Sequence, residues 1–227
     1  MNITPIAHIE SCYGSKFGVP RQAGIVQVPA RIVFEPEYRT AEAVRGLEGF
    51  DYIWLIWHFD HADRPGWSPT VRPPRLGGNQ RMGVFATRSP FRPNAIGLSS
   101  VRLRGITHDP LLGPLLHIDG ADLMHGTPIF DIKPYLPYTD SHHDARSGFA
   151  TEPASHLLNT ECPDALLHIL PEAMRQPLLD TLAHDPRPQY HHDPERLYGM
   201  PFAGYEVRFR VADGTATVVA IEGTTLR

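Results

Sequence analysis

RMGVFATRSPFRPNAIGLSSVRL, residues 81–103, reads as strand, stiffened loop, strand. Its two ends alternate apolar and polar residues, the period of a half-buried strand. Between them, TRSPFRPN (87–94) carries two Arg and two Pro where a tight hairpin would carry Asn-Gly or Asp-Gly. Pro90 and Pro93 fix φ and cut the loop's freedom, so Arg88 and Arg92 are presented in set positions. No acid neutralises them: from Arg64 to Arg104 there are eight Arg and neither Asp nor Glu. Guanidinium forks in an acid-free stretch suit a carboxylate or a phosphate.

Further strands lie on both sides. TPIAHIES (4–11) and IVQVPARIVF (25–34) alternate, and DYIWLIWHF (51–59) is apolar enough to be buried. MGVFAT (82–87), GLSSVRLR (97–104) and LLHIDGADLM (115–124) complete the set. RTAEAVRGLEG (39–49) predicts one surface helix, with Thr40 as its cap, Ala41, Val44 and Leu47 on one face, and Gly49 at its end. Residues 61–82 are rich in Pro and Gly without a period and form a long ordered loop, a feature that usually carries function. Many short strands with turn-rich links and one helix predict a mainly β fold, a closed or nearly closed barrel.

After residue 140 the texture changes. Residues 141–161 are polar and mixed, a linker. Residues 162–227 form a small α+β domain. There Leu166, Leu167, Leu170, Leu178, Leu179 and Leu182 have helical spacing, broken by Pro171 and Pro177 into two short helices or one kinked one. YEVRFRVADGTATVVAIE (205–222) is a hairpin turning at Asp213-Gly214.

Composition excludes several classes. At 41% hydrophobic the chain buries a real core, and a net charge of -4 is not that of a generally basic nucleic-acid binder. Cys12 and Cys162 are the only cysteines, which fits a reducing compartment. MNITPIAHIES is not a signal peptide and YIWLIW is too short to span a bilayer, so the protein reads as soluble and cytoplasmic. Dinucleotide, Walker, zinc-protease and serine-hydrolase motifs are missing. His142-His143-Asp144 and His191-His192-Asp193 fall in predicted loops and read as solvated, so no metal is expected. Asp131 and Lys133 are either a structural ion pair or a catalytic pair.

VPRQAGI (19–25), AVRGLEGFDYIW (43–54), the run from Gly66 to Ser99, GTPIFDIKPYLPY (126–138) and DPRPQY (185–190), in that order, closely resemble the TrmO family of S-adenosylmethionine-dependent tRNA methyltransferases. The resemblance implies a single-sheet β-barrel catalytic domain over residues 1–140. It implies a homodimer with S-adenosylmethionine near the subunit interface. It implies methylation of N6 of threonylcarbamoyl-adenosine beside the tRNA anticodon. Carried over by position, the cofactor contacts are Arg21, Gln22, Ala23, Asp60, His61, Arg88, Leu98, Asp119, Gly120, Ala121 and Asp122. Arg92 is assigned to the substrate side or to the frame of the site. Asp131 is the expected base or its orienter, Lys133 its electrostatic partner and Tyr135 a lesser candidate. Arg187, Tyr190, Arg208 and Arg210 are expected to grip the tRNA backbone. Because residues 162–227 hold no matched cofactor motif, removing them is expected to spare cofactor binding.

Overall fold

The computed structural model describes residues 2–62, 67–150, 157–187 and 193–224. In chain order it forms β1 (Ala7–Glu10), β2 (Pro29–Phe34), β3 (Tyr52–His58), β4 (Thr70–Val71), β5 (Met82–Gly83), β6 (Ile96–Asp109), β7 (Gly113–Asp119) and β8 (Pro128–Pro134). There follow α1 (Pro137–Asp140), β9 (Asn159–Glu161), α2 (Asp164–Leu167), α3 (Glu172–Ala183), β10 (Tyr198–Phe202), β11 (Tyr205–Ala212) and β12 (Thr215–Gly223). Six strands pair in the order β1-β2-β7-β6-β3-β8, and β8 closes onto β1 through Ala7↔Ile129 and His8↔Pro128.

Alternation explains which side chains fill the ring. On β3, Ile53, Leu55 and Trp57 turn inward while Trp54, Ile56 and His58 turn outward. Ile9, Ile32, Leu116, Ile118 and Ile129 meet them, all fully buried. Gly97 on β6 is required there. A Cβ would lie 2.2 Å from the Trp57 indole, which crosses it.

Several predicted elements differ. Residues 39–49 form two 3₁₀ turns, Ala41–Val44 and Leu47–Gly49, and not one surface helix. Gly46 stands between them at φ 84, which a right-handed helix cannot contain, and the Thr40 side chain makes no cap bond. MGVFAT contributes only β5 to a strand; Val84–Ala86 is a 3₁₀ turn. LLHIDGADLM leaves the ladder after Asp119, where Gly120 turns the chain at φ 82.

The second sheet runs β10-β11-β12-β9. β9 pairs in parallel with β12, so this sheet takes the last three residues of the stretch read as a linker. Two helices form, split at Pro171, with Pro177 inside α3. Asp213 and Gly214 both have positive φ, 47 and 74, the geometry that a two-residue hairpin loop demands. A second core joins this sheet to the segment between β1 and β2. Cys12, Tyr13, Val26 and Val28 pack with Met200, Phe202, Val207 and Phe209. The backbone follows: Ala203 N–H donates to Cys12 O at 2.8 Å, and His125 N–H to Tyr13 O at 2.9 Å. Residues 12–28 therefore wedge between the barrel and the C-terminal sheet.

Candidate active site

The β3–β6 register sets Trp57 opposite Gly97 and Leu55 opposite Ser99. Trp57 and Ser99 become diagonal neighbours on the inner face. The Trp57 indole N–H donates to Ser99 Oγ at 3.0 Å, and Ser99 donates to Asp122 Oδ1 at 2.6 Å. Gly24 N–H donates to Gly120 O at 2.8 Å, which fastens the loop after β1 to the turn after β7. A Cβ on Gly120 would sit 3.3 Å from Gly24 Cα, so this close approach also favours glycine. At the mouth, Arg88 donates to Gln22 Oε1. Arg21, Gln22, Ala23, Arg88, Gly120, Ala121 and Asp122 thus converge on one place.

Asp122 is the charged floor of this site. Burial pushes its pKa up, opposed by the Ser99 hydroxyl, the Arg88 charge and the Ala23 backbone N–H. The unfolded chain releases this proton first as pH rises, so ionised Asp122 costs stability above the ordinary carboxylate range. Asp122→Asn is therefore expected to raise the ligand-free melting temperature at pH 7 and to do so less at pH 4. The same change should weaken cofactor binding by about 10–100-fold, the loss of one bond to a charged acceptor. Melting curves at both pH values with calorimetric titration check the pair of effects. A melting temperature lowered at pH 7 would contradict the assignment.

The other assigned residues divide. Asp119 is engaged by Arg104 at 3.1 Å, so its carboxylate faces a cation of its own. Asp60 accepts from the His61 backbone N–H at 3.1 Å, and Lys16 donates to His61 O. Arg92 is frame: its guanidinium donates to Thr87 O at 2.8 Å and to Val84 O at 3.3 Å, holding the loop that presents Arg88. Leu98 projects from the outer face of β6, opposite in sense to Ser99.

Asp131 and Lys133 do form an ion pair, 2.9 Å apart, on the outer side of β8. Asp131 also accepts from the Ile132 N–H at 2.9 Å, beside the bulge between β3 and β8. Ile56 pairs with Leu98 on one side and Asp131 on the other, so the three share one outward row across β6, β3 and β8. Tyr135 completes the patch, its ring 5.6 Å from Trp54 and 6.2 Å from Tyr52. A cavity of about 420 Å³, lined by Tyr38, Val44, Leu47, Phe50 and Asp131, opens beside Asp131.

The C-terminal assignments fare unevenly. The Arg187 fork is bound to Asp185 at 2.8 and 2.9 Å and lies over the Tyr198 ring. Arg208 pairs with Glu222 at 3.4 Å. Arg210 is exposed on β11 opposite Thr217. Tyr190, His191 and His192 lie outside the described residues. Among the described residues, no three His, Cys, Asp or Glu side chains converge as a metal cluster.

Sequence reasoning missed Trp57, Ser99 and Gly24. A signal existed for Ser99: it is a polar residue at the buried parity of an alternating strand, between Gly97 and Val101.

Two family models cover the chain. The tRNA-methyltransferase O N-terminal domain matches residues 8–141 and the TrmO C-terminal domain matches residues 159–224. A tRNA (adenine(37)-N6)-methyltransferase of Escherichia coli is 42% identical over 96% of each chain. The enzyme of that name from Eikenella corrodens is 45% identical over 77% of this chain and 99% of its own. A crystal structure of TrmO from Pseudomonas aeruginosa superposes with a TM-score of 0.79 at 32% identity, covering 98% of each chain.

Proposed function

The chain belongs to the tRNA-methyltransferase O family, and from that premise we propose that it methylates N6 of threonylcarbamoyl-adenosine beside the tRNA anticodon, with S-adenosylmethionine as the methyl donor. One observation carries the reading: a half-buried, hydrogen-bonded Asp122 and an exposed Arg88 whose charge it feels stand across a glycine-lined turn. That donor set fits S-adenosylmethionine, a molecule with a carboxylate for an Arg fork and an amine and ribose hydroxyls for a carboxylate. When bound, the cofactor supplies an electrophilic methyl group.

The chain's own residues supply the rest. Arg88, steadied by Gln22, holds an anion at the mouth. Asp122, oriented by Ser99 and Trp57, accepts hydrogen bonds at the floor. Alignment of donor and acceptor then contributes most of the remaining acceleration. The acceptor is a weak nucleophile, because the exocyclic nitrogen shares its lone pair with the ring and the carbamoyl group. The same withdrawal makes its N–H acidic, so a base helps. Asp131 is that base and Lys133 stabilises the charge that forms.

Asp131 stands outside the β3 wall and Asp122 inside it, so one protomer does not bring the two together. The outer row is poorly covered, with Leu98 58% and Tyr52 44% exposed. A homodimer in which each outer face completes the partner's site reconciles these facts. Asp131→Asn is expected to lower turnover about a hundredfold, the lower end for a general base because water reaches a half-exposed carboxylate. Its pH–rate profile should flatten while S-adenosylmethionine affinity holds. An unchanged profile would remove Asp131 from the mechanism.

The reading itself is tested with purified protein, S-adenosylmethionine and two tRNAs, with and without the threonylcarbamoyl group, by mass spectrometry of the nucleosides. The Arg-rich surface should read the added carboxylate as well as the backbone. Phosphates are alike in both tRNAs, so backbone contacts alone give no preference. Preference for the modified tRNA by about 10–100-fold is expected from one charge-assisted pair. Equal methylation of both would sink the carboxylate-reading part.

A further inference from the structure

Three residues before Arg88 the chain turns an aromatic ring into water. Phe85 is 71% exposed and Trp67 is 55% exposed, and their ring centroids lie 6.3 Å apart at 30°. The exposure is built in. Val84 takes the inward position of the 3₁₀ turn and is buried, which leaves its neighbour Phe85 outside. The β4–β5 ribbon, pairing Thr70 with Gly83 and Val71 with Met82, brings the two rings together. Val84 N–H donates to Pro69 O at 2.9 Å and Arg81 to Thr70 Oγ1 at 2.9 Å, which fasten the ribbon on both sides. The Arg92 guanidinium, already fixed by two carbonyls, lies 5.7 Å over the Phe85 ring. Both rings are therefore held in place and remain more than half exposed, with Arg92 on one side of Phe85.

Their surroundings decide what they meet. Arg72, Arg81, Arg88 and Arg92 stand in this stretch, and no Asp or Glu occurs between Arg64 and Arg104. Exposed aromatic rings in an arginine-rich, acid-free stretch suit unpaired nucleotides, whose bases stack while their phosphates meet the cations. We propose that Trp67 and Phe85 form a stacking platform for an unpaired base of the anticodon loop near the one that is methylated. The inference rests on the tRNA reading above and says where the loop lies. Three residues of chain span at most about 11 Å, so the platform is within two or three stacked nucleotides of Arg88 at about 3.4 Å each.

The test uses the full-length protein and a synthetic anticodon stem-loop, with binding followed by fluorescence anisotropy. Phe85→Ala and Trp67→Leu should each weaken binding by about 5- to 150-fold, the range for one stacked base. Phe85→Tyr should stay within about twofold of the unaltered protein, and Phe85→Leu should be as weak as Phe85→Ala. S-adenosylmethionine affinity by calorimetry and oligomeric state by light scattering should not change. If Phe85→Leu binds as tightly as the unaltered protein, stacking is wrong and any apolar side chain serves. If Phe85→Ala alters the oligomeric state, the rings contact a second copy of the chain and the proposal falls. An unaltered protein that methylates tRNA while Phe85→Ala binds RNA normally overturns the platform alone. An unaltered protein that binds no RNA overturns the functional reading and the platform with it.

Discussion

A chain cut after Asp140 is expected to yield no soluble barrel that binds S-adenosylmethionine. The sequence suggested the opposite, since the cofactor motifs all precede that residue. The reason for the reversal is the wedge at residues 12–28. Tyr13 and Val28 are 0% exposed and Val26 1%, and the surface that covers them comes from the C-terminal sheet. Phe17 stacks on Tyr198 and Phe209 from the same side, with centroids 6.3 and 6.2 Å away. Uncovering these four side chains costs about 1.5–3 kcal/mol each, roughly 6–12 kcal/mol together. Whole domains are stable by only about 5–15 kcal/mol, so the loss is of the same size as the fold's margin. The loop that carries Arg21, Gln22 and Ala23 would lose one of its two walls. A milder version of the test is Tyr13→Ala, which removes the contact to Phe202 and the bond to Thr181 and should cost about 3–5 kcal/mol. It should lower the melting temperature and weaken cofactor binding together. A folded 1–140 fragment with cofactor affinity within twofold of the whole chain would show that the wedge is self-supporting.

What the sequence revealed follows the range of the interactions involved. The Asp213-Gly214 hairpin was legible because two adjacent residues with positive φ determine it locally. The TRSPFRPN loop was legible because proline stiffness and the lack of acids are properties of the stretch itself. The barrel strands showed their alternation, and the ring was inferred from their number. The helix expected at 39–49 fails on one backbone angle: Gly46 sits at φ 84 and splits the segment. The wedge was invisible because Cys12, Tyr13, Phe17, Val26 and Val28 follow no period, and only tertiary contact gives them a partner. Ser99 was legible in principle. Its parity on β6 is buried, so its hydroxyl needed a bond, and Asp122 provides one. The Arg187–Asp185 pair was not legible, because a charge seen in sequence says nothing of the fork that engages it.

Arg88→Ala is expected to abolish useful S-adenosylmethionine binding while leaving the fold intact. The side chain is exposed, it bonds Gln22 on the surface, and no core contact depends on it, so the melting temperature without ligand should stay within about a degree or two. The ligand's carboxylate, in contrast, would lose a two-pronged cation. Each charge-assisted bond is worth about 1.5–3 kcal/mol, so two amount to roughly 3–6 kcal/mol, or about 10²–10⁴-fold in affinity. Arg88→Lys should recover only part of this, because an ammonium keeps the charge but not the fork. The neighbouring acid gives a second readout. Arg88 now holds down the pKa that burial raises at Asp122, so its removal should push that carboxyl higher still. Binding of the cofactor in Arg88→Ala should accordingly fall further as pH drops, over a range where the unaltered protein is flat. Adding Asp122→Asn should remove that pH dependence. Calorimetric titrations across pH on the four proteins separate the two contributions. Cofactor affinity within twofold of normal in Arg88→Ala would show that the anion is held elsewhere, with Arg21, the residue before Gln22 between β1 and β2, the next guanidinium to test.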